Sequence, residues 1–146
     1  MMRRGGVMAL IATTAIVTAA MAANSPASAD GALAVGSTAN VVKDGIAVGT
    51  SVNYESASAA VEAALTRCRG YKPAPKAAAQ CRSVGSFKNE CYAVSFDPKE
   101  GTPGAGWAIA PTKELAEERA MAYCQVTAGE DRRDFCKIEE SKCDGN

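Results

Sequence analysis

The sequence predicts an α+β domain in which a strand–strand–helix–strand unit occurs twice, giving an antiparallel sheet with two packed helices and disulfide staples. Three observations lead there. The chain repeats itself: "LAVGSTANVVKDGIAVGTSVNYESASAAVEAALTRC", ending at Cys68, runs alongside "YAVSFDPKEGTPGAGWAIAPTKELAEERAMAYC", ending at Cys124. Short apolar runs bounded by Gly, Pro, Asn and Asp alternate with alanine-rich stretches of helical period. Six cysteines are spread along a chain of 146 residues.

Laid together, Ala34 and Val35 fall on Ala93 and Val94, and Gly45 and Ala47 on Gly106 and Ala108. Ala60, Glu62 and Ala64 fall on Ala116, Glu118 and Ala120, and Cys68 on Cys124. Each copy continues through a loop to a cysteine that opens a strand, Cys81 or Cys136, and reaches a last cysteine, Cys91 or Cys143. This pattern is an internal duplication with halves of about 31–91 and 92–143.

The strands are expected at Leu33 to Ser37, Ile46 to Thr50, Tyr92 to Phe96 and Trp107 to Ala110, where turn residues bound each short run. Residues 54–68 place Tyr54, Ala57, Val61, Leu65 and Cys68 at three- and four-residue steps, the period of a helix with one apolar face. In the second copy Ala116, Ala120, Met121 and Cys124 form the buried stripe, while Lys113, Glu114, Glu117 and Glu118 face water. Thr112 is the expected N-cap, and the glutamates that follow suit the positive end of the helix dipole.

Residues 1–29 read as an export leader outside the fold. Arg3 and Arg4 precede an uncharged apolar run from Val7 to Ala22, and Ala27, Ser28 and Ala29 supply the small residues a signal peptidase requires. The apolar run is short for a membrane span and polar Asn24, Ser25 and Pro26 follow it. Cleavage after Ala29 leaves 117 residues with 14 basic and 16 acidic side chains, a net charge of about −2. That balance argues against nucleic acid, which demands a concentrated basic face. Lys72 and Lys76 sit in a Pro-Ala loop and read as solvated. With the leader gone no stretch spans a bilayer, so the mature protein is expected to be secreted, periplasmic or held at the cell envelope.

All six cysteines lie in the mature part, and an even number in a small exported chain points to disulfides. Zinc is disfavoured because the chain has neither a CxxC pair nor any histidine. The missing histidine also leaves a catalytic thiol without an activating base. Six cysteines permit fifteen connectivities, among them two symmetric schemes. One joins Cys68 to Cys81 and Cys124 to Cys136 within the copies and leaves Cys91 to meet Cys143 across a pseudo-twofold axis. The other joins each cysteine to its counterpart and requires the two helix ends to touch, so the first is favoured.

Residues outside this framework carry little chemistry. "GTPGAG", 101–106, lacks the Lys-Ser/Thr of a phosphate loop and opens a strand, so it reads as a hairpin loop. Glu114, Glu117 and Glu118 read as a solvated helix face, and "GEDRRD", 129–134, as a charged turn without the alternating oxygens of a calcium loop. No catalytic, cofactor-binding or metal-binding residue is assigned, and no cofactor is expected. Trp107, the sole tryptophan, is read as core by analogy with Ile46, its counterpart in the alignment; facing outward, it would be the strongest single partner anchor. The loops Thr38 to Asp44 and Asp97 to Ala105 are the better recognition surfaces, so Lys43, Asp44, Asp97 and Lys99 join Trp107 as candidate partner contacts.

The chain resembles the small secreted bacterial proteins of domain-of-unknown-function family 4189. The resemblance rests on "GALAVGS", "CYAVSF", the run Gly106 to Ile109, Ala116 and Ala120 leading to Cys124, and the ending from Cys136 to Cys143. It covers roughly residues 31–143 and implies an exported, disulfide-stapled α+β domain; some mycobacterial members look like secreted factors that act on host cells. The family brings no functional residues. The expected function is a secreted, non-enzymatic interaction module for a protein or envelope component, possible roles being an inhibitor or a host-directed factor. The alternatives are a cell-envelope hydrolase using paired carboxylates and a structural envelope protein.

Overall fold

A computed structural model describes residues 30–145 of the chain. The segment read as an export leader, residues 1–29, lies outside the described residues. The first unit comprises β1 (Asp30–Ser37), the single-turn helix α1 (Val41–Asp44), β2 (Ile46–Tyr54), α2 (Ala57–Arg69), the short α3 (Pro75–Ala78) and β3 (Arg82–Phe87). The second comprises β4 (Cys91–Phe96), β5 (Ala105–Ala110), α4 (Lys113–Ala128), a 3₁₀ turn at Arg133–Phe135 and β6 (Lys137–Cys143). Each unit forms its own three-stranded antiparallel sheet, ordered β2-β1-β3 and β5-β4-β6, with the first strand of the unit in the middle. The fold is α+β, with its strands divided between two sheets.

The two sheets pack face to face and a long helix covers each outer face, giving four layers. Strand alternation explains the division, because successive side chains point to opposite faces. In β1 the small Ala32 and Ala34 join the cluster under α2, while Leu33 and Val35 enter the core between the sheets. In β4 Cys91 and Ala93 lie under α4, while Tyr92 and Val94 face the other sheet with Phe87. Large side chains therefore fill the middle layer, and small ones let the helices approach closely.

Closest approach falls on two glycines. A Cβ on Gly49 would stand 2.0 Å from the Ala64 carbonyl oxygen, and one on Gly106 would stand 2.0 Å from that of Ala120. The helix backbone thus lies directly on the strand in both units. Ser51 Oγ donates to the Ala60 carbonyl at 2.8 Å and Ser95 Oγ to the Ala120 carbonyl at 2.7 Å, tying each helix to its sheet.

Helix α2 starts later than its apolar period suggests: Tyr54 ends β2, Ser56 is the N-cap, and Ala57 is exposed. Its buried face is Ala60, Ala64 and Cys68, flanked by the partly buried Val61 and Leu65. Ser56 accepts a bond from the Ala59 N–H, which favours starting the helix there. In α4 the expected stripe is present and extends to Ala128, with Met121 half-buried beside it. Thr112 caps it, accepting from the Leu115 N–H at 3.3 Å.

Disulfides join Cys68 to Cys81, Cys124 to Cys136 and Cys91 to Cys143. The expected meaning of the third requires correction. Cys91 opens β4 and pairs directly with Cys143 at the end of β6, so that bridge links neighbouring strands of one sheet rather than crossing between the units. The C-terminal end spans the units instead. Asp144 is buried, and its carboxylate accepts the Asn53 N–H at the end of β2 and the Asn89 N–H in the β3–β4 turn. Among the described residues no helix is long and apolar enough to cross a membrane.

Candidate functional site

The loops that connect β1 to β2 and β4 to β5 rise beside one another and flank a single cleft of about 690 Å³. Ile46, Val48 and Phe96, edging the core between the sheets, contribute apolar lining. Lys43 and Asp44 come from one loop, Lys99 and Glu100 from the other, and Glu139 and Glu140 from β6. Four of the five residues singled out in the sequence, Lys43, Asp44, Asp97 and Lys99, therefore line the same cleft.

Their availability differs. Lys43 and Lys99 are exposed. Asp44 accepts from Thr38 Oγ1 at 2.8 Å and from Lys76 Nζ at 3.1 Å, and these bonds hold its carboxyl below the usual range. Asp97 is not a free contact for a partner: its side chain is fully buried and bound by Arg132, whose Nε and Nη2 stand 2.7 and 2.6 Å from its two oxygens. The charge-assisted fork lowers the Asp97 pKa to about 2 and raises that of Arg132. Asp97 also accepts from the Lys99 N–H, so it shapes its loop from within.

The "GEDRRD" turn thus has a role that its composition hides. Arg132 ties it to the cleft loop and stacks over Phe135, 4.1 Å from the ring centroid. The two partners are 35 residues apart in sequence, and only the packing of α4 on β5 brings them together. No local pattern marks such a pair.

A second polar group joins the sheets beside the cleft. Tyr92 Oη donates to Thr50 Oγ1 at 3.1 Å, and Thr50 Oγ1 donates to Glu140 Oε2 at 3.2 Å. Burial pushes the Tyr92 phenol well above its usual range. Burial would also raise Glu140, but Lys142, Tyr92 and Thr50 together hold it lower. In Asp44, Asp97 and Glu140 the direction is opposite to that of a carboxyl kept protonated as a general acid.

Trp107 lies apart from these groups on β5, half-buried against the core between the sheets. Its neighbour across the register is Val94, just as Thr50 sits across from Leu33 in the first sheet. Its structural counterpart is therefore Thr50, not Ile46. Among the described residues no group of three or more His, Cys, Asp or Glu is placed to hold a metal ion.

Comparison with known families finds one model, described as a domain of unknown function (DUF4189), matching residues 30–143. No curated protein and no solved structure matches the chain.

Proposed function

For a chain that belongs to the domain-of-unknown-function family DUF4189, we propose the role of an extracytoplasmic binding module that uses the cleft between its two loops. The observation carrying this reading is the convergence of both loops on one cleft with an apolar floor and a rim of mixed charge. That combination suits a protein segment that inserts an apolar side chain and presents charges of both signs around it. Three disulfides favour an oxidising compartment, consistent with export of the mature chain from residue 30. The duplicated sequence supports a twofold origin of the domain, with one loop from each copy committed to the site.

The test uses oxidised residues 30–146 as bait against envelope extract of the producing cell and against host-cell lysate. A reduced and alkylated sample controls for adhesive unfolded chain. Lys43→Glu with Lys99→Glu reverses both exposed cations of the rim without touching the core. A partner bound by the oxidised protein and lost, at least tenfold, in the double variant supports the reading. A partner retained by the double variant locates recognition elsewhere and removes the cleft from the account.

A further inference from the structure

The edge of β5 is open where the equivalent edge of the first sheet is guarded. Both β2 and β5 are edge strands, and their registers place Thr50 and Trp107 at the same point of the two units. In the first unit Arg67 of α2 reaches over the edge, where Nη1 donates to the Thr50 carbonyl. Arg67 stands one residue before Cys68, and the residue one before Cys124 is Tyr123, which cannot supply that guanidinium. Among the described residues no guanidinium takes that place in the second unit.

The orientation of the open groups follows from Ala105. Its N–H donates to Thr127 Oγ1 at 2.9 Å, and its carbonyl accepts from the same hydroxyl at 2.8 Å, so both point away from β4. Backbone groups of an antiparallel strand alternate sides, so Trp107 and Ile109 also direct their N–H and C=O outward. The stretch carries no charged side chain and its pairing with β4 has no bulge, whereas β6 carries Lys137, Glu139, Glu140 and Lys142 and pairs through a bulge. Charges and bulges are the devices that protect an edge from another strand.

We propose that β5 pairs antiparallel with β5 of a second copy of this chain about a twofold axis at Ala108. In that register Trp107 of each chain faces Ile109 of the other and the two residues exchange both backbone hydrogen bonds. An aromatic side chain then packs beside a β-branched one at each of the two pairs. Ala105, its groups already taken by Thr127, falls opposite Pro111, which has no N–H to offer. The blocked ends of the window therefore face one another, a self-complementarity that an arbitrary strand would not share. The strand's lack of charge leaves no like-charged row along the seam. Two exposed apolar residues line the groove along this edge and support a covered face: Tyr123 on α4 is 61% exposed and Val84 on β3 is 48% exposed. Arg119 is the charged residue among those lining this groove, and its long stem allows its head to stay in water. The seam lies on the edge of its sheet opposite β6.

The oxidised mature protein is to be followed by sedimentation velocity and by residue-resolved hydrogen exchange over a concentration series reaching about 1 mM, the range of weak association. The expected result is a mass that doubles with concentration while the Trp107 and Ile109 amides slow at least tenfold and the Ala105 amide does not change. Tyr123→Arg, which copies the guard of the first unit onto an exposed position, should weaken the dimer at least tenfold while leaving the circular dichroism unchanged. A monomer throughout the series overturns the proposal, even if a foreign peptide protects those amides. A dimer protected at another edge, or one indifferent to Tyr123→Arg, also overturns it. Should that variant misfold, the amide pattern of the unmodified protein still decides.

Discussion

Asp97 shows how one carboxylate can be mistaken for a contact point when it is the centre of a fold-building cluster. Its side chain is fully buried, and the Arg132 fork lowers its pKa to about 2 from an ordinary 3.8. A folded-state pKa below the unfolded one means that the ion pair's contribution is complete above the ordinary value and is lost as pH falls through the depressed one. Stability should therefore drop between about pH 4 and pH 2 more steeply in the unmodified protein than in Asp97→Asn. Urea midpoints collected across that range check this, and parallel curves for the two proteins would remove Asp97 from the acid response.

At the scale of the elements, the contact of each helix with its sheet depends on the absence of one side chain. Gly106→Ala would drive a Cβ into the Ala120 carbonyl of α4, and a backbone oxygen cannot swing away as a flexible side chain does. The expected loss is about 1–3 kcal/mol, typical of overpacking a filled layer. Gly49→Ala should behave alike against the Ala64 carbonyl of α2. Gly85→Ala is the control, because its Cβ would meet only Ile109 Cδ1 at an ordinary 3.7 Å. Denaturant midpoints should separate the first two variants from the third.

Across the whole molecule, the sheets share one core, and the C-terminal end locks the units together through Asp144. Its two oxygens receive N–H groups from Asn53 and Asn89, both held at positive φ. Asp144→Ala removes the acceptor that joins the end of β2 to the β3–β4 turn, and because Asn53 and Asn89 are themselves exposed the expected loss is about 1 kcal/mol, the net worth of an ordinary hydrogen bond. The lost stability should appear as a lower melting temperature with all three disulfides intact by mass.

Much of this architecture was legible in the sequence, and the instructive part is how the alignment of its halves misplaced some strands without misplacing their faces. In the sequence alignment Ala34 falls on Ala93, but the sheet registers and the matching bulges set it against Ser95. Gly45 falls on Gly106 in that alignment, whereas Gly49 is the glycine under the helix. Both slips are even-numbered, and a strand repeats every two residues, so inward and outward positions stayed correct. In the helices Gly49 meets Ala64 and Cys68 as Gly106 meets Ala120 and Cys124, at positions that Cys68 and Cys124 tie to strand-opening cysteines. The chain by itself thus determined the α+β class, the stripe of α4, the favoured disulfide partners and the two loops, because local period and covalent spacing carry that information, whereas the buried face of α2 is Ala60, Ala64 and Cys68 and not the stripe its period suggests. Only the tertiary structure decided that the strands form two sheets, that both loops border one cleft, that Asp97 belongs to Arg132, and that β5 lacks the guard found on β2. Each of those depends on contacts between residues far apart in the chain, where no periodic pattern records which surfaces will meet.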